Sequence, residues 1–466
     1  MPRKPTSPPC THPHLLTTSH SSTSSTFSRA SPSRRAAAAS ESGIHKPEIT
    51  DTNFHRFVSD RECASTFPGP LVLDGDDLER EPRQMGQSFR AWERGRWRNF
   101  VGKEWEGKGK VGEFRRTIYV VAPPGVDGEG VEGFMRGWCE VEGVGEDGGK
   151  GKGKRKRGDA IENGGEGAEW ETGNWVSDII SYLQAFYHGL PVKQMDPTHL
   201  HFTPWEEDTP PNPSQARSNS RRKKNKNPPS ISLHTSSSNT KTRIRYRATP
   251  SSPFSHQLNL SDLLDSAIDM LPSDAYALLI LVNHDLYEDD DDEFICGRAY
   301  GGSRVAVVST ARYNPLLDET QGIERIHGWP GSHCADYING VCGEPKPKTK
   351  TKTGKRKRIH ENDDDDDDDD DDDKNPSYAL NPSPLHSALT QQTTLLHNTP
   401  NVQQTLHLSR ICRIASHELG HCFGIAHCIY YACSMQGSGS IIEDARQPPY
   451  LCPVDLKKVV TATGGM

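Results

Sequence analysis

The stretch His417-Glu418-Leu419-Gly420-His421-Cys422-Phe423-Gly424-Ile425-Ala426-His427 decides how the rest of this chain is read. Its fixed positions spell HExxHxxGxxH. A catalytic zinc ion typically takes three protein ligands, often imidazoles, and keeps one position for water. On an α-helix, side chains four residues apart share a face, so His417 and His421 can grip one ion together. Glu418 stands beside the first histidine, where a carboxylate can take a proton from a metal-activated water. Gly424 permits a sharp turn at the helix end. That turn lets the chain double back and bring up His427 as third ligand. The bland alternative is a helix with surface histidines, which requires none of these residues at its place.

Thiols follow at once. Cys428, Cys433 and Cys452 succeed the motif, and Asp455 stands three residues after the last of them. Thiolates at such spacing suit a second, structural zinc. A carboxylate can complete a set of four, although four thiolates is the more usual set. Three cysteines with some other ligand, or no second zinc, are the alternatives. The whole arrangement resembles the archaemetzincins, a family of metzincin-like zinc peptidases. Their pattern ends in CxxC, where this chain has Cys452-Pro453-Val454-Asp455. Met435 matches the methionine that metzincins place in a turn beneath the catalytic zinc. A methionine filling a core gap is physically much the same thing.

The resemblance implies peptide-bond hydrolysis with zinc as cofactor and Glu418 as the catalytic base. One catalytic ion would lie on His417, His421 and His427. A second, structural ion would lie on Cys428, Cys433, Cys452 and Asp455. Peptides or proteins are the expected substrates, with cleavage specificity left open. Tyr287, Tyr430, Tyr431 and Tyr450 could each offer a phenol to an oxyanion, but nothing in the sequence selects one, and core or rim places suit them all. His284, His327 and His333 read as packing or surface residues. Two other functions keep the same residues: a zinc-stabilised binding protein with little peptidase activity, and a zinc hydrolase of a non-peptide bond. An intact Glu418 argues against the first, because a purely structural site has no use for a base.

The chain has 466 residues, of which 32% are hydrophobic. That is low for a globular protein. Long polar tracts explain it: residues 1–50, 143–170, 206–240 and 343–377, the last holding the aspartate run Asp363 to Asp373. None can bury enough apolar surface to offset its ordering entropy, so each is expected to be disordered. Residues 51–460 are expected to form a single metallopeptidase domain, ordered at about 115–142, 171–205, 241–342 and 378–460.

The net charge of −8 sums opposed blocks. Basic clusters stand at Lys154 to Arg157, Arg221 to Lys224 and Lys355 to Arg358. They suit a nuclear-import receptor or a nucleic-acid patch, but a solubilising loop is the simpler reading, and nucleic acid is not expected. The flexible aspartate run offers calcium no fixed cage. No stretch approaches the ~18 apolar residues of a membrane span, and the first residues lack the apolar core of a secretory leader. The first forty residues are free of acid and carry Arg3, Arg29, Arg34 and Arg35, the composition of a mitochondrial presequence. Their prolines and weak amphipathic pattern favour plain disorder. Eleven cysteines, several in or near the zinc motif, read as metal ligands and buried thiols of a reducing compartment. A monomer in cytoplasm, nucleus or both is expected.

Between the polar tracts, strands and helices alternate. Arg116 to Ala122 is a β-branched and aromatic run closed by prolines. Trp175 to Leu190 has apolar residues at helical spacing. Thr242 to Arg247 reads as extended, and Ser261 to Leu271 as a helix with Ser261 as N-cap. Tyr276 to Val282 is continuously apolar, as in a strand covered on both faces. Phe294 to Tyr300 and Ser303 to Ser309 flank Gly301-Gly302 as a hairpin with a two-residue glycine turn. The zinc motif closes a helix over about Gln403 to Gly424, with Ile411, Ala415, Leu419 and Cys422 on one stripe and the two histidines on another. The expected fold is α/β: a metzincin-like catalytic domain with a mixed, twisted sheet, helices on both faces and an active-site helix carrying HExxH.

Overall fold

The computed structural model describes residues 30–44, 67, 69–73, 75–80, 85–95, 115–126, 130–141, 174–196, 200–205, 228–235, 239–251, 253–333, 384–397 and 399–463. In chain order its strands are β1 (Thr117–Val121), β2 (Val192–Gln194), β3 (Leu200–Pro204), β4 (Ser230–Thr235), β5 (Thr240–Ala248), β6 (His256–Asn259), β7 (Ala275–Val282), β8 (Asp285–Tyr287), β9 (Gly297–Tyr300) and β10 (Val305–Ser309). Its α-helices are α1 (Pro32–Ala39), α2 (Asp77–Arg80), α3 (Phe89–Arg94), α4 (Glu132–Met135), α5 (Trp175–Phe186), α6 (Leu260–Asp269), α7 (Pro384–Leu395), α8 (Pro400–Cys422), α9 (Ile441–Ala445) and α10 (Pro453–Thr463). Among the described residues, no helix is long and apolar enough to cross a membrane.

The apolar run of β7 sets the centre. β1 and β10 pair with it in parallel on either side, with β2 beyond β1, and β9 closes the far edge antiparallel to β10. All eight β7 residues are buried, and from Ala277 to Val282 they alternate between two cores. Ala277, Leu279 and Leu281 face a helical layer, where α5 brings Ile179 and Leu183 and α8 brings Ile411, Ala415, Leu419 and Cys422. The four α8 residues are the stripe that periodicity assigns to the sheet. Leu278, Ile280 and Val282 face the opposite way, towards Leu260, Leu263 and Leu264 of α6 and the strands of a second sheet.

That second sheet departs from the sequence expectation of one sheet with helices on both faces. Its order is β3-β4-β5-β6-β8, antiparallel but for β6 with β8. Part of it comes from the tract 206–240 that composition marks as disordered. There Ile231 and Leu233 of β4 are buried, two apolar side chains on the same face of a strand. Averaging over polar neighbours hides so short a signal. The remainder of that tract to residue 227, and the insertions 143–170 and 343–377, lie outside the described residues, as do the basic clusters and the aspartate run.

The start of the chain differs as well. Helix α1 falls within residues 1–50, and α2 and α3 fall outside the expected ordered blocks. Leu78, Phe89 and Trp92 are buried in the same core as the zinc-motif helix. Two helix starts also move. The N-cap of α6 is Asn259, whose side chain accepts from the Asp262 N–H at 3.1 Å, not Ser261. Helix α8 begins at Pro400, with Thr399 as N-cap, a start that suits a residue lacking an N–H.

Candidate active site and metal centres

Helix α8 is long, and its last two turns carry His417, Glu418 and His421. The chain leaves it through a left-handed residue, Gly424, at φ +72°. The Gly424 N–H bonds the His421 carbonyl at 2.9 Å and the Ile425 N–H bonds the Gly420 carbonyl at 3.3 Å. This pair of reversed bonds is how a glycine commonly closes a helix. It turns the chain so that His427 returns to the other two histidines.

The three imidazoles converge. One ring nitrogen from each lies within 4.8 Å of the others, and the Nε2 atoms of His417 and His421 are 3.1 Å apart. The opposite nitrogens are held by backbone carbonyls: His417 Nδ1 to Ser434 at 2.5 Å and His421 Nδ1 to Ile425 at 2.7 Å. Such bonds fix the tautomer and turn Nε2 towards a metal. Burial, then mutual repulsion, holds His417 well below the usual imidazole range and lowers His421 to about 4. Burial also lowers His427, against the opposing pull of Asp77 from α2. Neutral imidazoles are the form that binds metal. The donor set therefore fits a zinc ion.

Glu418 faces the same cleft. Burial pushes its carboxyl up to about 8, with Arg298 pulling it down and Asp444 pushing further up. Met435 is fully buried beneath α8, against Gly420. The cleft measures about 720 Å³ and is lined by residues 294–299 leading into and along β9, by Tyr313 and Ile414, and by the loop Ser438–Ser440 with Asp444 beyond it. Strand β9 is the edge of its sheet.

The sequence-predicted second cluster is also assembled. Cys428, Cys433, Cys452 and Asp455 are all buried, each offering a ligand atom within 4.8 Å of the rest. The Cys428 and Cys452 sulfurs lie 3.6 Å apart, and Asp455 Oδ2 lies 3.4 Å from both Cys433 and Cys452. Asp455 Oδ1 instead pairs with Lys458 Nζ at 2.7 Å, both groups almost wholly buried. Burial pushes the Cys433 and Cys452 thiols up. Burial opposes ionisation of Cys428 too, but hydrogen bonds from the other two thiols bring it below the usual range. Burial and the Cys428 charge raise Asp455 to about 7, against the pull of Lys458. Four acids crowded in a dry site with one lysine form a donor set that a divalent cation would stabilise.

The tyrosines considered from sequence do not line this cleft. Tyr287 sits in the second sheet under the Arg247 guanidinium, Tyr430 and Tyr431 are buried in the helical core, and Tyr450 packs edge-on against Phe67 and Trp329. Tyr313 reaches the cleft instead. His284 is buried beside Trp138 and Phe202, and His327 pairs with Glu324 near the surface. Sequence reasoning missed Arg298, Asp444 and Asp77. No spacing rule marks them, because each reaches the site from a separate element.

Comparison with known proteins agrees on the motif segment. Residues 391–460 match peptidase family M54. Human Archaemetzincin-2 is 45% identical over 65 residues, which is 14% of this chain and 18% of that protein. The Pyrobaculum aerophilum Archaemetzincin is 41% identical over 44 residues, or 9% of this chain and 28% of the relative. The matches to the mammalian Archaemetzincin-2 relatives thus span about a fifth of their length. Among solved structures, the Methanopyrus kandleri archaemetzincin aligns with 74% of this chain and 93% of its own at 16% identity and a TM-score of 0.28. A zinc-dependent peptidase from Methanocorpusculum labreanum aligns with 61% of this chain and 93% of its own, at 14% identity and the same score.

Proposed function

We propose that this chain, which belongs with the archaemetzincin family on its zinc-motif segment, is a zinc-dependent peptidase. The observation that carries the reading is the convergence of three neutral imidazoles on a cleft that also holds Glu418. His417, His421 and His427 would hold the catalytic ion. When bound there, zinc lowers the pKa of water towards ~7 and polarises a carbonyl. Glu418 accepts the proton of the attacking water and returns it to the leaving amine. Burial raises its carboxyl to about 8, which suits a group that must return the proton as well as take it. Among the described residues, the edge strand β9 pairs on its β10 side alone and its other side runs along the cleft, so an extended peptide can add to it by main-chain hydrogen bonds. That makes a metzincin-like catalytic arrangement the best reading of the fold. Cys428, Cys433, Cys452 and Asp455 would hold the structural ion.

Peptides or proteins are accordingly the substrates proposed, in cytoplasm or nucleus, with import through the basic clusters. Metal analysis of the purified chain and a peptide-library digest beside Glu418→Ala test the reading. Peptide cleavage by wild type alone supports it. Metal-loaded protein that cleaves no peptide in the library would favour a zinc-stabilised binding protein.

A further inference from the structure

We infer that Gln87, brought by the segment before α3, is a positioning residue that clamps the turn between the second and third zinc ligands. The inference rests on the zinc-site reading above. Gln87 uses both ends of its amide on that turn: Nε2 donates to the Gly424 carbonyl at 3.0 Å, and Oε1 accepts from the Ala426 N–H at 3.2 Å. A primary amide carries its donor and its acceptor on separate atoms, so it can meet a carbonyl and an N–H of one turn at once. Next along the chain, Ala426 leads directly into His427.

The clamp is itself anchored. Buried Lys458 Nζ donates to the Gln87 carbonyl at 2.6 Å and to Gln87 Oε1 at 3.1 Å, while holding Asp455 of the cysteine cluster. On one side of Gln87, Gly86 lies against Ile429 so closely that any side chain there would collide, and its φ of +65° suits glycine. On the other, the buried Trp92 indole N–H donates to the Phe423 carbonyl at 2.9 Å. Phe423, Gly424, Ala426 and Ile429 on the turn 423–429 are thus gripped by residues 86–92. Three backbone dipoles around the third ligand are fixed by a segment that supplies no ligand. Outer partners of this kind commonly govern how firmly a metal is held.

The test uses the full chain loaded with zinc. Transfer of zinc to a chromogenic chelator reads how firmly each site holds its ion. Cobalt(II) substitution tells the sites apart, because thiolate charge-transfer bands come from the cysteine cluster. Gln87→Met keeps the length and apolar stem but loses every amide contact. It is expected to release zinc from the histidines about 10–100-fold faster, with the thiolate–cobalt bands unchanged. On peptide substrate, kcat should fall more than KM. A merely structural role would lower the melting temperature without changing release far below it. Gln87→Glu keeps the acceptor for Ala426 but faces the Gly424 carbonyl with an oxygen, and should release zinc faster than wild type by a smaller factor. Wild-type release from folded Gln87→Met overturns the inference, as it does from Gln87→Glu should the Met variant fail to fold. A wild-type chain with no metal on its histidines overturns the functional reading instead, and the clamp with it.

Discussion

The Met435 thioether occupies the space that any side chain on Gly420 would need. Gly420 lies between His417 and His421 on α8, so this contact sets the height of the helix over the turn Cys433–Gln436. The same turn returns the favour through the backbone. The Ser434 carbonyl orients His417, and the Met435 carbonyl accepts from the Cys428 N–H at 2.7 Å.

Gly420→Ala is therefore expected to push Met435 out of place. Overpacking a close-packed core costs about 1–3 kcal/mol. Tilting His417 against Ser434 should also weaken metal binding. Thermal melting and zinc titration measure the two effects. A variant with wild-type stability and affinity would show that the thioether has room to move.

Glu418→Gln should keep the catalytic ion and lose hydrolysis by about 10²–10⁴. The side chain is not a proposed ligand, so metal content reads the ligand set and turnover reads the base. Loss of zinc along with activity would mean that the carboxylate helps hold the ion.

The second site should respond differently. Cys452→Ser is expected to drop the metal content from about two ions per chain to about one and to lower the melting temperature. Asp455→Cys should retain the ion, since it restores four thiolates. Asp455→Ala should be the worst of the three. It removes the partner of a buried Lys458 ammonium, and breaking a buried pair costs about 3–5 kcal/mol. Elemental analysis and melting curves of all three give the order. Equal stability of Asp455→Ala and wild type would argue that Lys458 is satisfied by Gln87 alone.

Stability should also fall in mild acid for reasons away from the metals. His407 is held down to about 4, first by burial and then by Arg410, against the Thr310 carbonyl and Asp318 that favour its charge. Its Nε2 lies 2.9 Å from that carbonyl. The unfolded chain takes up this proton near pH 6.5, whereas the folded chain resists it until about pH 4. The contribution is therefore complete above about 6.5 and is lost as pH falls towards 4. Melting temperature against pH for His407→Leu should show a shallower slope in that window than wild type. Parallel curves would assign the acid loss to other groups, such as buried His284, which burial also lowers to about 4.

How much of this could be read in advance depends on where the information sits along the chain. The zinc motif is local: helix period, turn glycine and returning histidine occupy eleven consecutive positions, and Gly424 takes the conformation that its place in the motif requires. The β7 run is legible for a similar reason, because burial on both faces demands an unbroken apolar string. The hairpin of β9 and β10 is announced by Gly301-Gly302, but its connection is the four residues 301–304 rather than a two-residue glycine turn, and the left-handed residue is Arg304 at φ +61°. Strand β4 does not show, since Ile231 and Leu233 are too few to outweigh a polar neighbourhood. The Asn259 cap does not show either, since Ser261 two residues on has a similar intrinsic preference for the position. Least legible are the polar contacts of Asp77, Gln87 and Trp92. They follow no period, and their partners are hundreds of residues away.

That separation carries a consequence for how the protein comes into being. Gln87 and Gly424 are 337 residues apart, so during synthesis the clamp emerges long before the turn it holds. All ten described strands leave the ribosome before the zinc motif does. The sheets are made first, but the helix that covers one of them carries the motif, so capture of a firmly held ion must be among the last events of biogenesis. The same arithmetic bears on recombinant work. A fragment begun after residue 95 would contain each proposed ligand and still lack the clamp. Weak metal retention by such a fragment would reflect the missing segment, not the ligands.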